Sequence, residues 1–261
     1  MNIKTIVKVM NFHALLRVDR ARRDADQYRR LEREVARMID IIQNNRNFIL
    51  DKWIFLPKED APLLRIYIGS DLGFCGAVNA SVNARLEKES PENTVIVIGR
   101  KLHRPDLVDL SMGRDEFEER YGEIEAYLSE GVRRRKYAGV DICYDCYYNM
   151  THIEPVEKTI FPIHLERDDL ETYAEDFAVE GPDINTMMED LLVTYLNYEL
   201  KSAVVNAFAA ENILRQNATN ESLKKVEELE TQERWALRKA QNEAAARKVI
   251  DSYTKTKYRP R

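Results

Sequence analysis

The sequence predicts an α/β protein, a Rossmann-like and mostly parallel sheet domain inserted between long N- and C-terminal helices that form an antiparallel coiled coil. Three observations predict it. Apolar or small residues recur every seven positions near the N-terminus. Short, nearly all-apolar runs alternate with helical patterns in the middle. From Asn185 the chain is then free of Gly and Pro until Pro260.

The N-terminal repeat is Val7, Ala14, Ala21, Tyr28, Val35 and Ile42. A spacing of seven places one stripe along one side of a helix that winds around a partner. A second line (Ile3, Met10, Leu31, Met38) lies four residues before it and is broken by Arg17 and Asp24. A third (Val18, Ala25, Ile39) lies four after it and is broken by Glu32. Pro is absent until Pro57, so the helix runs for about 45 residues, roughly 65 Å. Residues 1–52 are read as an N-terminal shaft helix. The small Ala14 and Ala21 allow close approach of a second helix.

Residues 62–168 are read as an α/β base domain. Leu63–Ile68 is a buried strand ended by Gly69, and a short helix follows to about Glu89. Thr94–Ile98 is a second strand stopped by Gly99, and Asp115–Glu130 has a helical pattern. Val140–Tyr144 and Lys158–Ile163 are the third and fourth strands. All-apolar strands alternating with helices imply a largely parallel sheet covered on both faces. Residues 183–255 are read as a C-terminal shaft helix. Leu192, Tyr195, Leu196, Leu200, Val204, Phe208 and Leu214 form its core stripe. Beyond Ala218 the stripe thins to Val226, Leu229, Ala236, Ala240 and Ala244, so the last 30 or so residues are expected to fray unless a partner covers them. Two matching terminal helices favour a projecting coil over a bundle folded back on the α/β domain.

Composition excludes several classes. A net charge of -5 argues against general nucleic-acid binding. No apolar run approaches the roughly 20 residues of a membrane span, and no apolar segment of a secretory leader follows Met1-Asn2-Ile3-Lys4. Three Cys residues cannot all pair, which fits a reducing compartment.

Several features are candidates for chemistry. The Gly69–Asn79 segment, GSDLGFCGAVN, stands between a strand and a helix, where phosphate loops sit. Its glycines at 69, 73 and 76 match neither G-x-G-x-x-G nor G-x-x-x-x-G-K-[ST], and Leu72 and Phe74 crowd the site, so a tight turn is favoured. Cys143 and Cys146 form a C-x-x-C pair that Cys75 and His152 would have to complete for zinc. A three-residue offset in a strand points the two thiols to opposite faces, so buried thiols are favoured. His13, His103, His152 and His164 make no metal or catalytic pattern, and Glu118-Glu119 and Asp168-Asp169 read as solvated surface. The Arg residues at 17, 20, 22, 23, 29, 30, 33 and 37 are interleaved with Asp19, Asp24, Asp26, Glu32 and Glu34, as on an exposed helix. Arg133-Arg134-Arg135-Lys136 reads as a solvated turn or a docking surface. No catalytic, cofactor-binding or metal-ligating residue is assigned, and no cofactor is expected.

Four ordered stretches resemble the gamma subunit of rotary F-type ATP synthases. GSDLGFCGAVNASV, Gly69–Val82, is similar to the family's S-D-[RK]-G-L-C-G-G-x-N segment at Ser70, Asp71, Gly73, Cys75, Gly76 and Asn79. VIVIGRK, Val95–Lys101, resembles the family strand followed by G-R-K. Tyr144–Pro162 is placed like the family's V-Y-N-x-F strand and its following L-P strand. Asp190–Ser222 resembles the start of the family's last helix at Tyr195, Leu196, Leu200, Ala203, Glu211, Asn217, Ala218 and Thr219. The resemblance implies a non-catalytic central-stalk rotor subunit that passes torque between a nucleotide-binding alpha/beta ring and a membrane ion-translocating ring. The partners it implies are F-type alpha and beta subunits, epsilon-type and ring c-type subunits, with no nucleic acid and no direct membrane span. It implies a peripheral place on the cytoplasmic side of the cell membrane.

The departures lie near the chain ends. Only seven residues precede Lys8-Val9-Met10, the counterpart of the family's K-x-M. Glu230–Val249 keeps little of the family's Y-N-x-A-R-Q-x-x-I-T-x-E, and SYTKTKYRPR, Ser252–Arg261, replaces its Gly- and Ala-rich apolar end. These changes leave a second reading, a gamma-like adaptor that joins an ATPase to another assembly without rotating.

Overall fold

A computed structural model describes residues 3–45, 47–73, 75, 78–103, 106–163 and 183–257. Asp168-Asp169, His164, Phe74, Gly76 and Ala77 lie outside the described residues. The chain forms α1 (Ile3–Asn44), β1 (Leu63–Ile68), α2 (Val78–Leu86), β2 (Thr94–Ile98), β3 (Leu110–Met112), α3 (Tyr121–Arg133), β4 (Gly139–Asn149), β5 (His152–Phe161) and α4 (Ile184–Lys257).

The sheet order is β3-β2-β1-β4-β5. β1, β2, β3 and β4 run parallel, and β5 turns back antiparallel to β4. Several elements differ from the sequence reading: β4 continues past Tyr144 to Asn149, and β5 spans His152–Phe161 rather than Lys158–Ile163, the two pairing as one long hairpin. The three-residue β3 was not foreseen, because an edge strand that short carries no alternation pattern. The helix read over Asp115–Glu130 begins only at Tyr121, and turns fill the preceding residues. There the charged run Asp115–Arg120 forms ion pairs with Arg100 and with itself instead of a first helical turn.

Alternation along β1 divides the core. Leu64, Ile66 and Ile68 join Ile96, Ile98, Val140 and Ile142 under the α1–α4 pair and α3. Tyr67 joins Val95, Val97 and Cys143 under Val82 and Leu86 of α2. Both faces of the sheet are covered, as the all-apolar strands require.

The coil is antiparallel, since α4 partners fall in number as those of α1 rise. Lys4 pairs with Glu227 and Glu230, Asn11 donates to Thr219 at 3.2 Å, and the Tyr28 and Tyr198 ring centroids are 6.5 Å apart. The seam is the seven-residue line together with the third line. Ala14, Val18, Ala21, Ala25, Val35, Ile39 and Ile42 are buried, while Met38 of the second line is half exposed. On α4, Ala203, Ala207, Ala209 and Ala210 are buried, and Phe208 and Leu214 are only half-buried. The small buried Ala14, Ala21 and Ala25 of the seam let α4 approach α1 closely.

The contrast between adjacent residues gives a direct test of the seam. Ile39→Ala is expected to cost about 2–5 kcal/mol in denaturant unfolding. Met38→Ala is expected to stay within about 0.5 kcal/mol. Equal effects would mean that the helix is rotated from the stated face.

Candidate functional site

The turn after β1 is built as a knot. The Ser70 amide donates to Asn79 Oδ1 at 3.0 Å, Asn79 Nδ2 donates to Ser70 Oγ at 2.8 Å, and Ser70 Oγ donates to the Leu72 carbonyl at 2.8 Å. Cys75 Sγ sits 3.3 Å from Ser70 Oγ and donates to the same Leu72 carbonyl. Glycine is needed beside this knot for room. Gly99 has φ +125°, and a Cβ on it would come within 2.7 Å of the Gly69 carbonyl carbon.

Asp71 ties three loops together. Its carboxylate accepts the backbone N–H of Arg100 and of Arg114, each at 2.9 Å. These loops lie at the C-terminal ends of the parallel strands, where open α/β sheets bind ligands. Here that end is bridged to the molecule's own α4. The motif matched to the family therefore shapes a joint.

The joint centres on Glu211. Arg114 Nη1 donates to Glu211 Oε2 at 2.9 Å, Arg114 Nη2 donates to the Val204 carbonyl, and the guanidinium stacks 4.2 Å from the Phe208 ring centroid. The second oxygen of Glu211 accepts from Arg215 Nη2. Arg215 Nη1 donates to Asn212 Oδ1 at 3.2 Å, and its Nε reaches the Gly73 carbonyl at 3.4 Å. The Glu211 and Arg215 side chains are only 5% and 6% exposed. Burial pulls the Arg114 guanidinium down to about 10, opposed by Glu211 and Asp71, so it remains a cation at neutral pH. Two loops of the α/β domain are thus fixed to one level of α4 by charged, directional bonds.

A second joint lies lower on the coil. Lys158 of β5 donates to Glu199 Oε2 at 2.6 Å, and Tyr195 O–H donates to Glu199 Oε1 at 3.0 Å. Asn206 Oδ1 accepts the Tyr147 amide at 2.6 Å. Glu32 of α1 faces this group from the seam. Burial, and then the Glu199 charge, raise its pKa above the ordinary carboxylate value, while Lys158 and Arg33 act the other way.

The remaining candidates resolve separately. Cys143 lies in the core on the α2 side and Cys146 in the core on the shaft side, so the two thiols face apart and cannot share an ion. Burial pushes Cys143 up to about 11, which suits an inert thiol. His152 is exposed beside Glu154 and Tyr148. Glu118 and Glu119 are exposed, as are the α1 arginines. The Arg133–Lys136 run is taken up internally. Arg133 pairs with Asp190, Arg134 and Lys136 pair with Glu130, and Arg135 lies over Trp53 at 5.1 Å.

Sequence reasoning placed Glu211 only by resemblance and missed Arg114 and Lys158. A signal for the joint was present: Glu211 and Arg215 lie four apart and continue the helical strip of α4 that carries Val204 and Phe208. Charges at buried positions imply partners on another element.

Beyond Glu230, α4 leaves the body. Every side chain described from Thr231 to Thr254 is exposed, and residues 231–257 add about 40 Å of helix past the start of α1. The helix does not fray as expected, because Ala, Glu, Arg, Lys and Gln fill it and no Gly or Pro interrupts it.

The family model described as ATP synthase matches residues 1–250. The chain belongs to the ATP synthase family. Among curated relatives, the ATP synthase gamma chain of Clostridium perfringens (strain SM101 / Type A) is 24% identical over 250 residues, covering 87% of this chain and 83% of that one. The ATP synthase gamma chain of Prochlorococcus marinus (strain MIT 9515) is 21% identical, covering 96% and 93%. Two solved structures share the fold. The central stalk/c-ring structure of Tetrahymena thermophila mitochondrial ATP synthase gives a TM-score of 0.59 at 18% identity, over 83% of this chain and 99% of that one. The rotor of Euglena gracilis mitochondrial ATP synthase gives 0.57 at 17% identity, over 93% and 94%.

Two measurements test the joints. Glu211→Leu leaves two buried arginines without their counter-charge and is expected to cost about 3–5 kcal/mol. Arg100→Ala removes an exposed pair and is expected to cost under about 1 kcal/mol. Glu32 has a raised folded-state pKa, so its charged form opposes folding above that pKa, and the opposition fades as pH falls towards the unfolded value. Glu32→Gln is therefore expected to raise the thermal midpoint near about pH 7, with the gain gone near about pH 3.5. A gain that grows on acidification would contradict the assignment.

Proposed function

We propose that this chain is the central-stalk subunit of an F-type ATP synthase, carrying torque between a nucleotide-binding alpha/beta ring around its coil and an ion-translocating ring beneath its α/β domain. The observation that carries the reading is the continuity of α4. One 74-residue helix is core to the α/β domain, partner to α1, and a bare shaft beyond it. A twist applied at the base passes to the shaft through the Glu211 and Glu199 joints without crossing a flexible linker.

The shape of the exposed surface supports an enclosing partner. Successive helix residues turn by about 100°. Trp235, Tyr253, Val249 and Ile250 fall within an arc of about 100° on the bare helix, and Leu237 lies nearly opposite Trp235. A flat partner on that side would leave Leu237 in water, whereas a sleeve covers all five. Ile6, Val9, Phe12 and Leu16 also line the side of α1 turned away from α4. Alpha and beta subunits are the proposed sleeve, and epsilon-type and c-type subunits are the proposed contacts of the base, on the cytoplasmic side of a membrane. No observation of its own favours a non-rotating adaptor.

The test is affinity isolation of the tagged chain from its source cells under gentle conditions, read by mass spectrometry. Stoichiometric alpha- and beta-type subunits are expected. Recovery without any ATPase subunit would overturn the proposal. A chain ending at Glu230 is expected to unfold within about 0.5 kcal/mol of the full chain, since nothing buried is lost, yet to bind the ring far more weakly. Unchanged ring binding would mean that the sleeve lies elsewhere.

A further inference from the structure

We infer that the bare end of α4 seats in an acidic socket, a protein sleeve lined with carboxylates at the level of residues 234–257. The inference rests on the proposed stalk role and specifies the chemistry of its upper bearing.

Charge is divided sharply along the helix. Residues 221–233 carry five glutamates against two lysines, and residues 234–257 carry seven Lys or Arg against Glu243 and Asp251. The whole chain is net negative, so this positive segment runs against the molecule's balance. The acidic stretch is partly used by the protein itself, because Glu227 and Glu230 hold Lys4 at the start of α1. The basic stretch is not. Among the described residues, Arg234 reaches only Glu230, at 4.0 Å, and Arg238, Lys239, Arg247 and Lys248 make no ion pair.

Helix electrostatics does not account for the pattern. Cations are favoured near a helix C-terminus by its partial negative charge, but that effect fades within the last turn. Arg234, Arg238 and Lys239 lie several turns before Lys257. Solubility does not account for it either, since mixed charge of either sign serves that end. Four exposed cations beside Trp235, Leu237, Val249 and Ile250 make a surface that an apolar sleeve would cover badly, because each buried ammonium or guanidinium would lack a partner. Carboxylates between apolar patches satisfy both kinds of side chain.

The same surface argues against the other polyanions. Binding to an anionic membrane surface needs the apolar residues on one side of the helix and the charges on the other. Here Arg238 and Lys239 lie within about 60° of Trp235, on the side that also carries Val249, Ile250 and Tyr253, and Leu237 lies nearly opposite. The acidic stretch just below would also be repelled by carboxylates continuing down the socket. It therefore confines the carboxylate lining to the tip and sets how deeply the shaft enters.

The test uses the full-length chain and the alpha/beta ring that copurifies with it, separated and recombined over a salt series. Arg238→Glu, Lys239→Glu, Arg247→Glu and Lys248→Glu are combined in one variant. Trp235→Ser, Val249→Ser and Ile250→Ser are combined in another. All seven positions are exposed, so circular dichroism of both variants is expected to match the original. The charge variant is expected to bind at least about 100-fold more weakly at low salt and to lose most of the salt dependence. The apolar variant is expected to weaken binding while keeping that dependence. Equal binding by the charge variant and the original chain would overturn the acidic socket and leave the stalk role intact. A ring that fails to retain even the original chain would overturn both. Tighter binding to phosphatidylglycerol vesicles or duplex DNA than to the ring would overturn the socket in favour of a polyphosphate surface.

Discussion

The buried carboxylate Glu211 sets how the α/β domain is oriented on the shaft. It takes one arginine from the loop after β3 and one from its own helix, and the second arginine also holds the carbonyl of the turn after β1. Apolar packing alone fixes a helix on a sheet only loosely about its axis, since hydrophobic burial is not directional. Hydrogen-bonded ion pairs are directional, so the rotational setting of α4 on the sheet is specified at this level. Asp71, the Ser70–Asn79 knot and the close pair Gly69 and Gly99 then read as supports that hold the two loops still. A buried ion network contributes little net stability for its cost in lost hydration. Its contribution here is orientation, which a torque-bearing part requires.

The rest of the shaft follows from where apolar surface is available. Up to about Glu230 the coil is held by small buried residues, and there α1 and α4 stabilise each other. Above that level α4 keeps its helix through intrinsic propensity over a long run, which suffices because the helix is already nucleated below. The bare end is therefore ordered before any partner arrives, and little ordering entropy remains to oppose insertion into one.

Much of this was legible in the sequence. The seven-residue line from Val7 to Ile42 placed the coil, and the apolar runs at Leu63–Ile68 and Thr94–Ile98 placed two strands at their observed bounds. The glycines around Asp71 were read as a turn, and residues 69–73 form bends and irregular chain after β1. What escaped was tertiary. Choosing between the second and third seam lines needed the position of α4, along which α1 packs so that Ile39 is buried and Met38 is half exposed. The start of α3 depended on Arg100, 15 residues from Asp115 in sequence yet in contact with it. Arg114 sat in a loop with nothing local to mark it, and only the fold brings it to Glu211.

The account depends on the α/β domain and α4 turning as one body inside a ring. The most direct measurement attaches a bead at the exposed tip of the β4–β5 hairpin, beside Met150, and watches it on a surface-held alpha/beta ring supplied with ATP. The account predicts stepwise rotation in one direction that stops when hydrolysis is inhibited. Continued hydrolysis with the bead stationary or drifting freely would contradict it.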